Sequence, residues 1–156
     1  MRRKYPIKQL PSVGGIIFNR EESVLLVRRK KHPEKGKWSL PGGVIQTGEN
    51  LHEALKREVF EECQLNIDVG PLVLASTKII KTQKGEILYH FVILDYLCQY
   101  QGGIPKAGSD VSDIRWVKME EINKYELTEE LTEVIIKGLK IKQLNFQINN
   151  LVERKP

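Results

Sequence analysis

Gly43-Val44-Ile45-Gln46-Thr47-Gly48-Glu49, then seven residues, then Arg57-Glu58-Val59-Phe60-Glu61-Glu62-Cys63-Gln64-Leu65, is the stretch on which the reading of this chain turns. It has the form of a loop running into a helix. On a helix, residues three and four apart are neighbours, so Glu58, Glu61 and Glu62 form one acidic patch with Glu58 and Glu62 stacked a turn apart. Like charges at that spacing weaken an isolated helix by a few tenths of a kcal/mol per pair. A hard divalent cation with oxygen ligands, Mg²⁺ above all, converts the repulsion into coordination. The patch is therefore a candidate metal site.

Working outward, Asn50 is placed to cap the helix and Glu53 stands three residues on, the spacing of a capping box. Leu51, Leu55, Val59 and Cys63 step by four and form the expected buried stripe. Before the helix, Val13-Gly14-Gly15-Ile16-Ile17-Phe18 and Ser23-Val24-Leu25-Leu26-Val27-Arg28 read as a hairpin joined by Asn19–Glu22. Their continuous apolar character predicts cover on both faces. A loop from Arg29 to Gly48, punctuated by Pro33, Gly36, Pro41, Gly42 and Gly43, is long enough to mark a functional segment.

After the helix, strands are expected at about 67–81 and 86–98, broken by a turn at Gln83-Lys84-Gly85, then a short strand at 114–117 and one or two helical turns from Met119 to Lys124. A second helix is expected from about Thr128 to Leu139, with Leu131, Val134, Ile135 and Leu139 on its apolar face. The tail 140–156 alternates weakly through Leu144, Phe146 and Ile148, which leaves an added strand, a dimer contact and frayed chain all open. This order predicts an α/β fold, a mixed sheet between helices, in one domain over residues 1–156.

Composition sets the bounds. The 156 residues are 40% hydrophobic and 29% charged, ordinary globular values, with a net charge of +5. No apolar run reaches the roughly 18 residues needed to span a bilayer, and Met1-Arg2-Arg3-Lys4-Tyr5-Pro6 has no hydrophobic stretch behind it to make a signal peptide. Basic residues gather at Arg2–Lys4, at Arg28-Arg29-Lys30-Lys31 with Lys35 and Lys37, and near the end of the chain; they suit anionic partners or a solvated surface. Cys63 and Cys98 lack metal-type spacing and are expected to be reduced thiols of a cytoplasmic protein. His32, His52 and His90 show no ligand pattern.

The motif is similar to the Nudix box, Gly-x5-Glu-x7-Arg-Glu-U-x-Glu-Glu-x-Gly-U, where U is aliphatic. Gly43, Glu49, Arg57, Glu58, Val59, Glu61, Glu62 and Leu65 match in register, and Gln64 stands where the family has glycine. Trp38-Ser39-Leu40-Pro41-Gly42-Gly43 resembles the family's lead-in. The resemblance extends over about 10–140 and implies a Nudix α/β/α sandwich that hydrolyses a pyrophosphate bond in a nucleoside diphosphate derivative, with Mg²⁺ or Mn²⁺. It further implies Glu58 and Glu62 as principal metal ligands with Glu61 a third, a carbonyl of the Gly42–Gly43 turn completing the set, and Arg57 orienting the glutamates through ion pairs that include Glu49. The water-activating base is Glu58 in some members and a loop acid in others; Asp110, Asp113, Glu120 and Glu121 are available here. Gln64 predicts a changed helix end, with Asn66 taking the left-handed turn.

The substrate is read less directly. Tyr89–Tyr96 and Ala107–Val117 resemble small Nudix proteins assigned as ADP-ribose pyrophosphatases. This makes ADP-ribose the expected substrate and AMP with ribose 5-phosphate the expected products. An oxidised-dGTP pyrophosphatase and a non-catalytic nucleotide sensor are the alternatives. Arg28 and Arg29 are candidates for holding the phosphate or ribose end, and Phe18, Tyr89, Phe91 and Trp116 for stacking on a base or filling the core. A small-molecule nucleotide is the expected partner rather than a nucleic acid or membrane, and similar small members of the family are often dimers, which makes a homodimer the expected assembly.

Overall fold

The computed structural model describes residues 3–6 and 8–153. Strand β1 (Leu10–Phe18) lies at the centre of a seven-stranded mixed sheet. One edge runs parallel to β6 (Ile87–Tyr100), from Leu10 opposite Phe91 to Phe18 opposite Gln99. The other edge pairs antiparallel with β4 (Gly42–Val44) at Ser12–Gly14, and meets β2 (Val24–Arg29) at Phe18 opposite Val24. The expected hairpin forms, and its strands part directly after the turn. Asn19 fixes that turn by accepting the N–H groups of Glu21 and Ser23. Beyond the parting, β2 pairs with β3 (Trp38–Ser39) on one edge and with β7 (Val111–Val117) on the other. β5 (Ile67–Lys81) and β6 form a long antiparallel arm turning at Thr82–Glu86.

Adjacent residues of these strands feed opposite layers. Ile17, Leu25, Val27, Tyr96 and Cys98 pack with Ala54, Leu55, Val59 and Cys63 of helix α1 (Leu51–Cys63). Ile16, Val24, Leu26 and Leu97 pack with Leu131, Val134 and Ile135 of helix α2 (Leu131–Glu153). Side chains on a strand alternate between faces, so a strand covered on both sides reads as an unbroken apolar run. The result is the expected α/β/α sandwich.

Several expectations need correction. The stretch from Arg29 to Gly48 contains β3 and β4, which are too short to leave a period-two signal. Leu51 is exposed, and Ala54 takes its place in the buried stripe with Leu55, Val59 and Cys63. The tail continues α2 as far as Glu153, where a strand or frayed chain was open; Leu144, Phe146 and Ile148 are all exposed on it. Thr128 precedes the helix, which starts at Leu131.

Gln64 itself takes the left-handed conformation expected of Asn66, with φ 55° and ψ 34°. A side chain there costs on the order of 1 kcal/mol relative to glycine. The helix end is supported by a neighbouring loop. Lys106 N–H donates to the Cys63 carbonyl at 2.9 Å and Gly108 N–H to the Glu62 carbonyl at 2.8 Å. These satisfy acceptors that a helix C-terminus otherwise leaves open.

Candidate active site

Helix α1 begins with the expected capping box. Asn50 accepts the Glu53 N–H at 2.9 Å, and Glu53 accepts the Asn50 N–H at 3.1 Å. With one face locked into the core through Leu55 and Val59, the opposite edge is delivered to β4. There Gly43 meets Glu58: a Cβ on residue 43 would stand 2.5 Å from the Glu58 carboxyl carbon, so only glycine leaves the carboxylate its place. A turn later, Glu62 Oε2 accepts the Gly42 N–H at 3.1 Å.

Arg57 organises the remaining acids. Its Nε and Nη2 form a fork onto Glu49, the Nη2 contact to Oε2 being 3.0 Å; Nη1 reaches Glu58 Oε1 at 2.8 Å and Glu61 Oε2 at 3.2 Å. Nη2 also donates to the Val44 carbonyl at 3.3 Å. Two parallel N–H donors on one carboxylate give geometric definition as well as charge. The hydrogen bonds from Arg57 hold the Glu49 carboxyl below its ordinary range, and Gln46 N–H adds to this.

The other acids are shifted the opposite way. Burial raises the Glu58 carboxyl, with Arg57 opposing. Burial pushes Glu62 up to about 8, and the charge of Glu58 adds to the shift while Gly42 N–H resists it. Two neighbouring desolvated carboxylates favour neutralisation by a proton or a cation. Their hard oxygen donors, with glycine backbone alongside, fit a Mg²⁺- or Mn²⁺-type ion. Glu61 stands apart: its carboxylate is 54% exposed and turned onto Arg57. As placed, no group of three His, Cys, Asp or Glu side chains among the described residues converges on one point.

These residues edge a cleft of about 780 Å³, within the range of ligand sites. Arg29, Lys30 and Lys31 line another side. Arg28 does not line it: neighbours on a strand point oppositely, and Arg28 Nε donates to the Gly36 carbonyl at 3.0 Å, away from the cleft. Among the loop acids only Asp110 reaches the cleft, where it pairs with Lys31 at 2.7 Å. Asp113 pairs with Arg115 and Glu121 with Lys124, both at the surface, and Glu120 is exposed. Of the aromatic candidates, Tyr89 and Phe91 stack at 5.8 Å and line the cleft on β6, whereas Phe18 is buried in the α2-side core and Trp116 packs against the α1-side core. Trp38 hydrogen-bonds to Glu126 and Thr128, which holds the start of α2 as the far wall.

Asp95 belongs to no motif in the sequence. It is 7% exposed on β6, lines the cleft, and is pushed up to about 6 by burial. Its only trace in the sequence is a lone acid within the apolar run Phe91–Cys98.

The sandwich carries the box on α1 with two carboxylates held at a glycine turn, and a match to the NUDIX domain over residues 8–137 shows that the chain belongs to the Nudix family of hydrolases. Among curated relatives, an ADP-ribose pyrophosphatase of Methanocaldococcus jannaschii is 32% identical over 124 residues, 78% of this chain and 70% of that protein. The 8-oxo-dGDP phosphatase NUDT18 of Danio rerio is 35% identical over 101 residues; the match takes 65% of this chain and spans only 28% of the relative's length. The crystal structure of a MutT protein from Methanosarcina mazei superposes with a TM-score of 0.72 at 23% identity, covering 88% of this chain and 98% of that one, a likeness of fold. Among the described residues, no helix is long and apolar enough to cross a membrane.

Proposed function

We propose that this Nudix hydrolase is Mg²⁺- or Mn²⁺-dependent and cleaves ADP-ribose to AMP and ribose 5-phosphate. The observation that carries the chemistry is the pair of buried carboxylates, Glu58 and Glu62, held against the Gly42–Gly43 turn at the edge of a nucleotide-sized cleft. The M. jannaschii relative supports the choice of ADP-ribose. In this reading Glu58 and Glu62 hold the cation, and Glu61 joins them by rotating off Arg57. A divalent ion bound there supplies neutralisation of the diphosphate and activation of the attacking water. Arg57 positions Glu58 and Glu49 and transfers no proton, because its paired acids hold the guanidinium firmly in its protonated form. Arg29 engages the diphosphate from the opposite side. Glu58 takes the proton of the attacking water, and Asp110 is the alternative base across the cleft. The protein is read as a cytoplasmic homodimer; the buried, unpaired thiols of Cys63 and Cys98 suit a reducing compartment.

A panel of nucleotides with Mg²⁺, followed by product identification, tests this. AMP and ribose 5-phosphate from ADP-ribose are the expected products. Preferential release of phosphate from 8-oxo-dGDP would transfer the assignment to the activity named for the Danio rerio relative, and release of pyrophosphate from oxidised dGTP would transfer it to the triphosphate pyrophosphatase alternative.

A further inference from the structure

A carboxylate withdrawn from water needs a partner, since burying an unpaired polar group costs several kcal/mol and native proteins rarely leave one unsatisfied. Asp95 is 7% exposed, and among the described residues no hydrogen bond or ion pair reaches its carboxylate; no fully enclosed side-chain oxygen there lacks a partner, so its oxygens open onto the cleft. Room has been made for it. Gly14 lies opposite Asp95 on β1, and a Cβ there would overlap Asp95 Oδ1 well inside van der Waals contact. The same Cβ position is 4.0 Å from Leu40, so the carboxylate leans across β1 towards the cleft. Leu40 stands beside it, and the α2 wall of the cleft presents Leu131 and Val134 next to Thr128, Glu129 and Glu130.

Position along the sheet narrows what it meets. Gly42, which donates to Glu62, pairs with Gly14, and Gly14 pairs with Asp95. The Asp95 backbone is therefore two strands from the carboxylate site, roughly 10 Å at the usual strand spacing of about 4.8 Å, and its carboxylate, lying over Gly14, is one strand nearer. A diphosphate seated at Glu58 and Glu62 carries the same sign of charge as Asp95 and would be repelled by it. Across the length of a ribose, the group that arrives among Leu40, Leu131 and Val134 is a flat base.

We propose that Asp95 is the specificity-determining residue of the cleft, its carboxylate accepting a hydrogen bond from the exocyclic amine of the substrate's nucleobase, the N6 amine of adenine. The inference rests on reading the cleft as a nucleotide site, and it adds which atoms are read. The bond forms on binding, so the cost of burying Asp95 is offset in the complex and left standing for a base without the amine.

The test is binding of AMP against purine riboside 5′-monophosphate, which differs only in lacking the amine, followed by NMR titration of the metal-free protein. The intact protein should bind AMP about 10- to 100-fold more tightly, the range for a hydrogen bond to a charged group. Asp95→Ala should reduce the ratio to about 3-fold or less, and Asp95→Asn, which keeps an acceptor oxygen in place, should restore part of it. Equal binding of the two nucleotides to the intact protein overturns the proposal, as does an unchanged preference in Asp95→Ala with a native-like spectrum. Neither metal nor turnover enters, so a protein that reads AMP through Asp95 without hydrolysing ADP-ribose separates this inference from the proposed activity.

Discussion

At the α1 end of the cleft, Arg57 ties three carboxylates into one ion-paired lattice, while on β6 Asp95 stands buried with no counter-charge among the described residues. Glu49 is held below the ordinary carboxylate range by its partner, and Asp95 is raised by burial alone. Glu58 and Glu62 fall between the two regimes, buried like Asp95 yet adjacent to one another. A paired acid positions its neighbours; an unpaired buried acid stores free energy that a ligand can release. The contrast is between scaffolding and readiness.

The largest effect expected from breaking it is at Glu58. Glu58→Gln keeps the shape and removes the charge, and turnover with Mg²⁺ should fall by at least about 100-fold, the scale seen when a principal electrostatic contributor is removed. Glu62→Gln should fall comparably, while the metal-free protein at pH 8 gains stability, because the buried charge is gone. Unchanged metal-dependent turnover in Glu58→Gln would refute its assigned role. Next, Arg57→Lys cannot fork Glu49 and reach Glu58 together. A loss of roughly 10- to 100-fold in kcat is expected, the usual scale for residues that orient ligands, and kinetic assays of both variants would rank the two effects.

A smaller effect separates Asp95 from the lattice. Its folded carboxyl is raised from 3.8 to about 6, so the folded state binds the proton more tightly than the unfolded chain. The associated stability is fully present below about pH 4 and is lost as pH rises through about 6. Asp95→Asn should therefore be more stable than the parent by about 1–3 kcal/mol at pH 8, with the gap narrowing towards pH 4; urea melts at several pH values would show it. The smallest effect is at Gln64. Gln64→Gly relieves the left-handed strain and should add up to about 1 kcal/mol, with little change in kcat if Lys106 and Gly108 already fix the position of Glu62.

What the sequence disclosed follows from what is periodic or spaced. The capping box, the Leu55–Val59–Cys63 stripe and the doubly covered hairpin each repeat at the period of their element, and the box glutamates sit at helical spacing. Strands β3 and β4, of 2 and 3 residues, are too short to repeat anything. The far half of α2 misled because Leu144, Phe146 and Ile148 recur at every second position, as on a strand, yet project outward from a helix. Alternation within β2 already implied that Arg28 and Arg29 cannot both face one cleft; which of them does depends on how β2 pairs with β3. Asp95 was hidden for a related reason. Its neighbour Gly14 lies some eighty residues earlier, and only the parallel register of β1 with β6 brings them together.

The long arm of β5 and β6 has a mechanical consequence. β1 begins opposite Phe91, so the ladder from Lys78 and Phe91 to the turn extends beyond the central strand. Lys78, Tyr89 and Phe91 line the cleft from this overhang, which is fastened outside its own ladder by the ion pair of Lys78 with Glu34 and by Tyr5 N–H donating to the Leu88 carbonyl at 2.9 Å. One wall of the binding cavity is thus a cantilever, rooted on β1 at Phe91 and braced from outside at Glu34 and Tyr5, and it is built independently of the helix that anchors the glutamates.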